Sequence, residues 1–269
     1  MNRRAFLATA AVVAVAGCLG ESDRSLPVTP TGDWTHHAHD ARNTAAADVA
    51  VPDRGNRAWN SGAAGVAAPL VDDGTVFSAA ESATALDATT GEQTWGGDLP
   101  GPAERTPALD DEQLLVATDQ RLVALGRADG GDRWSVELPR PARSPVTVAD
   151  GGSLVTVPLA ARQGAPGLVA YDTDGDELWT DRTLAARATA IADGTVYVTG
   201  YEQDGNTGVL RALDAADGSQ LWETELDHPD TSPVLADAGV LVGDGGTLAV
   251  HDRSDGTRRR SLGQFGDRI

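Results

Sequence analysis

The sequence predicts an all-β fold, a β-propeller of four-stranded blades, from three observations. Tryptophans recur about every 40 residues, a glycine stands four residues before each of them, and short β-branched segments are separated by turn dipeptides. After Trp34 the tryptophans are Trp59, Trp95, Trp134, Trp179 and Trp222, and the glycines are Gly55, Gly91, Gly130, Gly175 and Gly218. Thr90, Asp129, Asp174 and Asp217 directly precede four of these glycines. Such dipeptides suit tight hairpins, because Gly accepts the positive φ these turns need. A further copy, Asp255-Gly256, has Arg260 where the Trp is expected.

Five complete units follow one another, at roughly 64–99, 104–139, 143–183, 187–227 and 231–263. The first reads Asp73-Gly74-Thr75-Val76-Phe77, then Ala85-Leu86-Asp87, then the Gly91 turn and Trp95. The second has Leu114-Leu115-Val116 and Val123-Ala124-Leu125, with Gly126 where Asp is expected. In the third, Leu154–Val157 leads to Val169-Ala170-Tyr171, and one residue is lost between Asp172 and Gly175. Asp193–Val198 and Ala212-Leu213-Asp214 make the fourth, and Val240–Val242 and Leu248–Val250 the fifth. Pro69, Pro107, Pro145 and Pro233 open units, a position where a strand tolerates the missing N–H. Helical repeats are excluded, because glycine interrupts every segment before a helix completes its turns. An extra Trp strand around Trp59 precedes the first unit. The expected ring therefore has five or six blades or stays open.

The stretches Ala85–Trp95 (ALDATTGEQTW) and Ala212–Trp222 (ALDAADGSQLW) resemble the repeats of the pyrroloquinoline-quinone (PQQ)-like β-propeller superfamily. The resemblance implies that each Trp packs between neighbouring blades, and that small residues such as Ala85 and Ala212, beside Asp87 and Asp214, let blade faces approach. Trp34–Thr44 (WTHHAHDARNT), with Arg57-Ala58-Trp59, is similar to the opening of PQQ-like repeat lipoproteins from halophilic archaea. The family's ring is usually closed by seven or eight blades, so five units depart from its pattern. Its quinone enzymes use a Ca²⁺ site, a catalytic Asp and commonly a vicinal disulfide. Cys18 is the only cysteine here, which rules out that disulfide, and no Asn/Glu/Asp cluster matches the calcium site.

The amino terminus reads as an address. Arg3 and Arg4, followed by Phe6 and Leu7, resemble a twin-arginine export signal. The apolar run from Ala5 to Ala16 is shorter than the ~20 residues a membrane span needs and has the length of a signal-peptide core. Val15-Ala16-Gly17-Cys18 resembles a lipobox, in which the Cys18 thiol is lipidated and the chain is cleaved on the N-terminal side of that residue. The alternative is a buried cysteine at the end of an apolar helix. The expected organisation is a signal peptide over 1–17, a flexible tether over 18–32 and the propeller over 33–269. This places the protein on the outer face of the cytoplasmic membrane.

Charge limits the partners. Asp and Glu number 40 against 21 basic residues, all of them Arg, for a formal net charge of −19. Phosphate backbones call for clustered cations, so nucleic acid is not an expected partner. A Lys-free, acidic chain resembles proteins that work in molar salt, where self-repulsion is screened.

Three further clusters have two readings each. Asp172-Thr173-Asp174-Gly175-Asp176-Glu177 has carboxylates spaced for Ca²⁺ but lacks the later Glu of an EF-hand, and it sits on a hairpin turn. His36-His37-Ala38-His39-Asp40 is metal-like in composition. In an extended strand it would put His37 and His39 on one face, beside the plainer reading of a surface strand. Arg258-Arg259-Arg260 suits either acidic partners or a charged edge strand. His228 and His251 stand alone and are read as packing or surface residues. No catalytic, cofactor or metal residue is assigned. The sequence is read as a non-catalytic binding or assembly scaffold for an envelope or membrane protein, with a quinoprotein dehydrogenase or a shortened, non-functional paralogue as alternatives.

Overall fold

The structure, a computed structural model, describes residues 32–46, 57–62, 68–149, 151–160, 162–203, 207–229 and 231–264. The export and lipidation residues Arg3, Arg4, Phe6, Leu7 and Cys18, and the first repeat glycine, Gly55, lie outside them.

All regular structure among the described residues is β-strand, in five antiparallel four-stranded sheets. Blade 1 comprises β1 (Leu70–Asp72), β2 (Thr75–Ala79), β3 (Ser82–Asp87) and β4 (Gln93–Asp98). Blade 2 comprises β5 (Ala108–Leu109), β6 (Gln113–Ala117), β7 (Arg121–Gly126) and β8 (Asp132–Glu137). In blade 3 the strands are β9 (Thr147–Val148), β10 (Val155–Pro158), β11 (Leu168–Tyr171) and β12 (Glu177–Asp181). Blade 4 contains β13 (Leu184–Ala192), β14 (Thr195–Glu202), β15 (Gly208–Asp214) and β16 (Gln220–Leu226). Blade 5 contains β17 (Val234–Ala236), β18 (Gly239–Asp244), β19 (Thr247–His251) and β20 (Arg258–Gln264). Each sheet pairs its strands in chain order, which is the meander of a propeller blade.

Local chemistry explains the strand ends. Asp73 (φ 43°) and Gly74 (φ 70°) close β1 onto β2, and Asp193 (φ 52°) and Gly194 (φ 72°) close β13 onto β14. Both are two-residue turns with positive φ at each position, whose twist matches that of the flanking strands. The prolines act as predicted: β1 and β17 begin directly after Pro69 and Pro233. Blade 4 has Thr189 in place of the opening proline, so the N–H is present and β13 extends back to Leu184 through a bulge between Ala186 and Ala188. In blades 2, 3 and 5 that extension shrinks to single bridges, Ala103 to Thr118, Ala142 to Leu159 and Pro229 to Asp244.

The turn before each Trp is longer than the two-residue hairpin its dipeptide suggests. In blade 1 it runs over Ala88–Gly91, with the Gly91 amide donating to the Asp87 carbonyl (2.7 Å) and Gly91 at φ 74°. The Asp87 carboxylate accepts the amides of Thr89 and Thr90, both at 2.8 Å, and so closes the loop from inside. Asp214 and Asp252 repeat this on Ala216 and Ser254. Blade 3, one residue shorter, bonds Gly175 to Asp172 instead, at 3.3 Å. In blade 2, where Gly126 replaces the Asp, Asp129 pairs with Arg133 at 3.0 Å in the space a Cβ on Gly126 would enter.

Four apolar clusters fill the four junctions between consecutive blades. Leu70, Phe77, Ala85 and Trp95 meet Leu114, Val116 and Leu125 between blades 1 and 2, for example. The corresponding clusters between later blades centre on Leu122 with Val155, Leu168 with Val198, and Leu210 with Val242. The core is therefore distributed between the sheets, and each blade is stabilised by its neighbours.

Candidate functional site

The repeated tryptophans build a rim of identical latches. In blades 1–4 the Trp lies over the glycine turn of the next blade, and its indole N–H donates to a carbonyl there. Trp95 reaches Arg127 (2.9 Å), Trp134 reaches Thr173 (2.6 Å), Trp179 reaches Ala215 (2.9 Å) and Trp222 reaches Arg253 (2.8 Å). The glycine is required twice over. At Gly218, φ is 71°, and a Cβ would come within 2.6 Å of the Trp179 ring. Within its own blade each Trp pairs across the sheet with an alanine: Ala85 with Trp95, Ala124 with Trp134, Ala170 with Trp179 and Ala212 with Trp222. In blade 5 the equivalent pair is Val250 with Arg260, so the small residue is lost together with the Trp. Arg260 is exposed, while Arg258 and Arg259 pair with Asp244 and Asp252. The three arginines thus lie on an outer strand, as the edge-strand reading has it.

Trp59 differs from the expectation of an extra strand. Among the described residues, 57–62 pair with no strand, yet Trp59 still latches Gly91 and donates to Ala88 at 2.9 Å.

The axis is built differently. Residues 34–43 pass the innermost strands of all five blades in order. Trp34 pairs with Val71 of β1 (2.6 and 3.0 Å), and the Thr35 carbonyl accepts the Leu109 amide of β5 (2.9 Å). The His36 ring nitrogen Nε2 lies 3.1 Å from the Val148 amide of β9. The Ala41 carbonyl accepts the Ile191 amide of β13 (2.7 Å), and the Arg42 carbonyl accepts the Leu235 amide of β17 (2.9 Å). Asn43 then donates both amide hydrogens across the last junction, to the Thr189 and Pro233 carbonyls at 2.8 and 2.9 Å.

The plainer reading of the histidine run as a surface strand is corrected. His37 and Ala38 form a turn and His39 has φ 82°, so the segment is not extended and the alternating-face argument does not apply. His36 is 6% exposed, with Nδ1 2.9 Å from the Thr35 hydroxyl. His37 contacts the Thr106 hydroxyl (3.1 Å), and His39 faces Asp40 (3.4 Å). The three rings serve three different contacts. On the acidic turn, Asp172 accepts the amides of Asp174 and Asp176, and Trp134 covers the loop. His251 is buried with Nδ1 2.9 Å from the Gly256 carbonyl, and His228 meets Tyr201 at 3.2 Å.

Two features carry no sequence motif. Arg211 projects from an apolar run in β15, is 5% exposed, and pairs with Asp181 of blade 3 (2.7 Å) and Glu223 (2.5 Å). A buried hydroxyl seam joins blades 3 and 4, where Thr189 bonds Thr147 and Thr156, each at 3.0 Å. A single Arg inside a continuous apolar strand was the available signal for the first; ordinary threonines gave none for the second.

The openings lie on one face, where the inter-blade connections and the β6–β7 turn meet, opposite the latches. One of about 620 Å³ lies beside blades 1–3, lined by Pro100, Pro102, Gln120, Arg121, Pro139 and Arg140 among others. Another of about 430 Å³ sits at the axial mouth between Arg105, Arg143, Ser144, Arg187, Ala188, Thr231 and Ser232. A quinone with Ca²⁺ is not matched by these surroundings. No three His, Cys, Asp or Glu among the described residues are grouped to hold a cation, and the described lining of the axial mouth offers no aromatic face.

The family model described as outer membrane protein assembly factor BamB, a PQQ-type repeat, matches residues 45–142 and 118–266. The chain belongs to this family. No curated protein matches it in sequence. Among solved structures it is similar to a europium-containing methanol dehydrogenase, with a TM-score of 0.69 and 15% identity over 86% of this chain and 58% of that one. It is also similar to the quinohemoprotein alcohol dehydrogenase of Comamonas testosteroni, with a TM-score of 0.64 and 18% identity over 85% of this chain and 48% of that one. The computationally designed Ika8 protein aligns with a TM-score of 0.55 at 16% identity, over 74% of this chain and 61% of that one. The chain thus spans about half the length of the dehydrogenases it matches. At such identities the likeness is one of fold, the PQQ-type propeller.

Proposed function

We propose that this chain is a non-catalytic binding or assembly scaffold, exported, anchored through Cys18 to the outer face of the membrane, and presenting its connection face to an envelope or membrane protein. The observation that carries the reading is where the repeat residues go. The described tryptophans from Trp59 to Trp222 all close latches on the opposite face. That leaves the connection face free to vary in sequence, and binding faces on rigid scaffolds are built that way. The family's assembly-factor description supports a protein partner over a small substrate.

The test is partner capture in native membranes by photo-crosslinking from the connection face, since a chain without Lys gives amine-reactive reagents no side chain to label. A single partner captured from this face supports the scaffold. Saturable quenching of Trp fluorescence by PQQ with Ca²⁺, in protein shown to be folded, sends the reading to a quinoprotein dehydrogenase instead. Thermal unfolding without a cooperative transition would point to a shortened paralogue.

A further inference from the structure

A small polar cavity lies beneath the axial mouth, where the axial segment meets blades 3 and 4. Its volume is about 20 Å³, and it shares Ser144, Ala188 and Ser232 with the lining of the mouth, which gives solvent a way in. Asn43 of the axial segment, Thr147 of blade 3 and Thr189 of blade 4 also line it. The buried hydroxyl seam ends here, and its hydrogens can be assigned one by one. Thr189 donates from Oγ1 to Thr147 Oγ1 (3.0 Å), which spends its single hydrogen. The Thr156 hydroxyl, also 3.0 Å from Thr189, is therefore the donor of that pair. Donation thus runs from Thr156 to Thr189 to Thr147, and the Thr147 hydrogen is left with no acceptor among the described residues. Asn43 has the opposite need. Its Nδ2 gives both hydrogens to the Thr189 and Pro233 carbonyls, which fixes which end of the amide is nitrogen. What Asn43 has left for the cavity is Oδ1, an acceptor that meets no donor among the described residues.

We propose that this cavity binds one ordered water molecule, which accepts from the Thr147 hydroxyl and donates to Asn43 Oδ1, tying the axial segment to the seam between blades 3 and 4. The inference rests on the fold alone and not on the scaffold reading. Three arguments select water. The first is size. One water needs about 10–15 Å³ of such space, and the cavity has about 20 Å³. The second is the bonding. The ligand must accept once and donate once. A halide only accepts, and a metal cation does neither, whereas water does both. No described lining residue is acidic, so a cation would also lack a countercharge there. The third is burial. Thr147 is 5% exposed, and a hydroxyl hydrogen left unbonded at such a place is costly. Buried waters in proteins serve such groups, with two to four polar partners each. Ser232, whose hydroxyl has no partner among the described residues, offers a third contact on the side of the mouth.

The test is a crystal structure of the full chain at a resolution that places waters, with further crystals soaked in bromide and in rubidium. A single density peak within about 3 Å of both Thr147 Oγ1 and Asn43 Oδ1 is expected, without anomalous signal in either soak. The peak should be lost in T147V, which keeps the side-chain shape and removes the hydroxyl, and kept in T147S, which restores the hydroxyl. No peak at the wild-type site overturns the proposal. An anomalous peak there after the bromide soak overturns it by assigning an anion, and one after the rubidium soak by assigning a monovalent cation. An undiminished peak in T147V overturns it as well, because the hydroxyl seam then does not hold the ligand. The wild-type map and the two soaks decide the question even where a variant does not fold. None of these outcomes involves partner capture, so failure here leaves the scaffold reading to its own experiment.

Discussion

The rim and the axis of this propeller are held together by opposite means. At the rim one device, an indole over a glycine turn, is repeated from blade to blade with nearly the same bond. At the axis each blade is held by a different residue of one segment, through a backbone pair on blade 1, an imidazole on blade 3 and an amide fork at the last junction. Repetition makes the rim a sum of equivalent junctions, each set by its neighbours. The axis is a single-copy part that every blade shares.

Removing an indole tests the rim most severely. W179A, at a residue 7% exposed, should lower unfolding free energy by about 3–5 kcal/mol in urea titration. W59A should cost less, because that indole is half-buried and residues 57–62 pair with no strand among the described residues. Equal losses from the two would show that the burial of the indole does not set the strength of the latch. G218A attacks the same device from the turn. With φ 71° and the Trp179 ring in the way, it should cost about 2 kcal/mol or more, where Gly→Ala in unstrained backbone would stabilise.

The axis is probed by N43A, which removes two hydrogen bonds to carbonyls of blades 4 and 5. A loss of about 1–3 kcal/mol is expected, accompanied by earlier hydrogen exchange at the last junction than at the first. Uniform exchange across all junctions would show that the axial segment does not tie the blades individually.

The smallest effect is electrostatic. The amide of Ser254, with the Arg259 guanidinium, holds the Asp252 carboxyl at about 2, below its ordinary value. A lowered carboxyl stabilises the fold above its unfolded pKa near 3.9 and loses that contribution as pH falls through the folded value. Urea midpoints of the wild-type chain should therefore fall between about pH 4 and pH 2 more than those of D252N. Parallel curves would remove the turn carboxylate from the account.

The same contrast governs what the sequence could reveal. Five blades were legible because Gly91, Trp95 and their copies recur, and recurrence survives without knowledge of contacts. The direction of each latch, onto the following blade's turn, was not legible, since spacing within a unit says nothing of which neighbour receives the indole. The axial segment occurs once, so periodicity could not find it. Its His-rich composition suggested metal or surface, while its work is done largely by backbone groups, which any sequence carries. The grouping of arginines at the axial opening was illegible for a related reason. Arg105, Arg143 and Arg187 are far apart in the chain, and only the repeat register brings them to one opening.

The axial segment also constrains how the chain is made. Each blade pairs strands that are neighbours in sequence, so blades can form one by one as a growing chain emerges. Asn43, by contrast, bonds Pro233 across a separation of 190 residues. The segment synthesised before any blade has its last partner only when the fifth blade exists. Until then the blades are an unlocked string, and closing so long a loop is the late, topologically slow step. Residues 34–43 thus wait, through most of synthesis, for a partner that the chain supplies last.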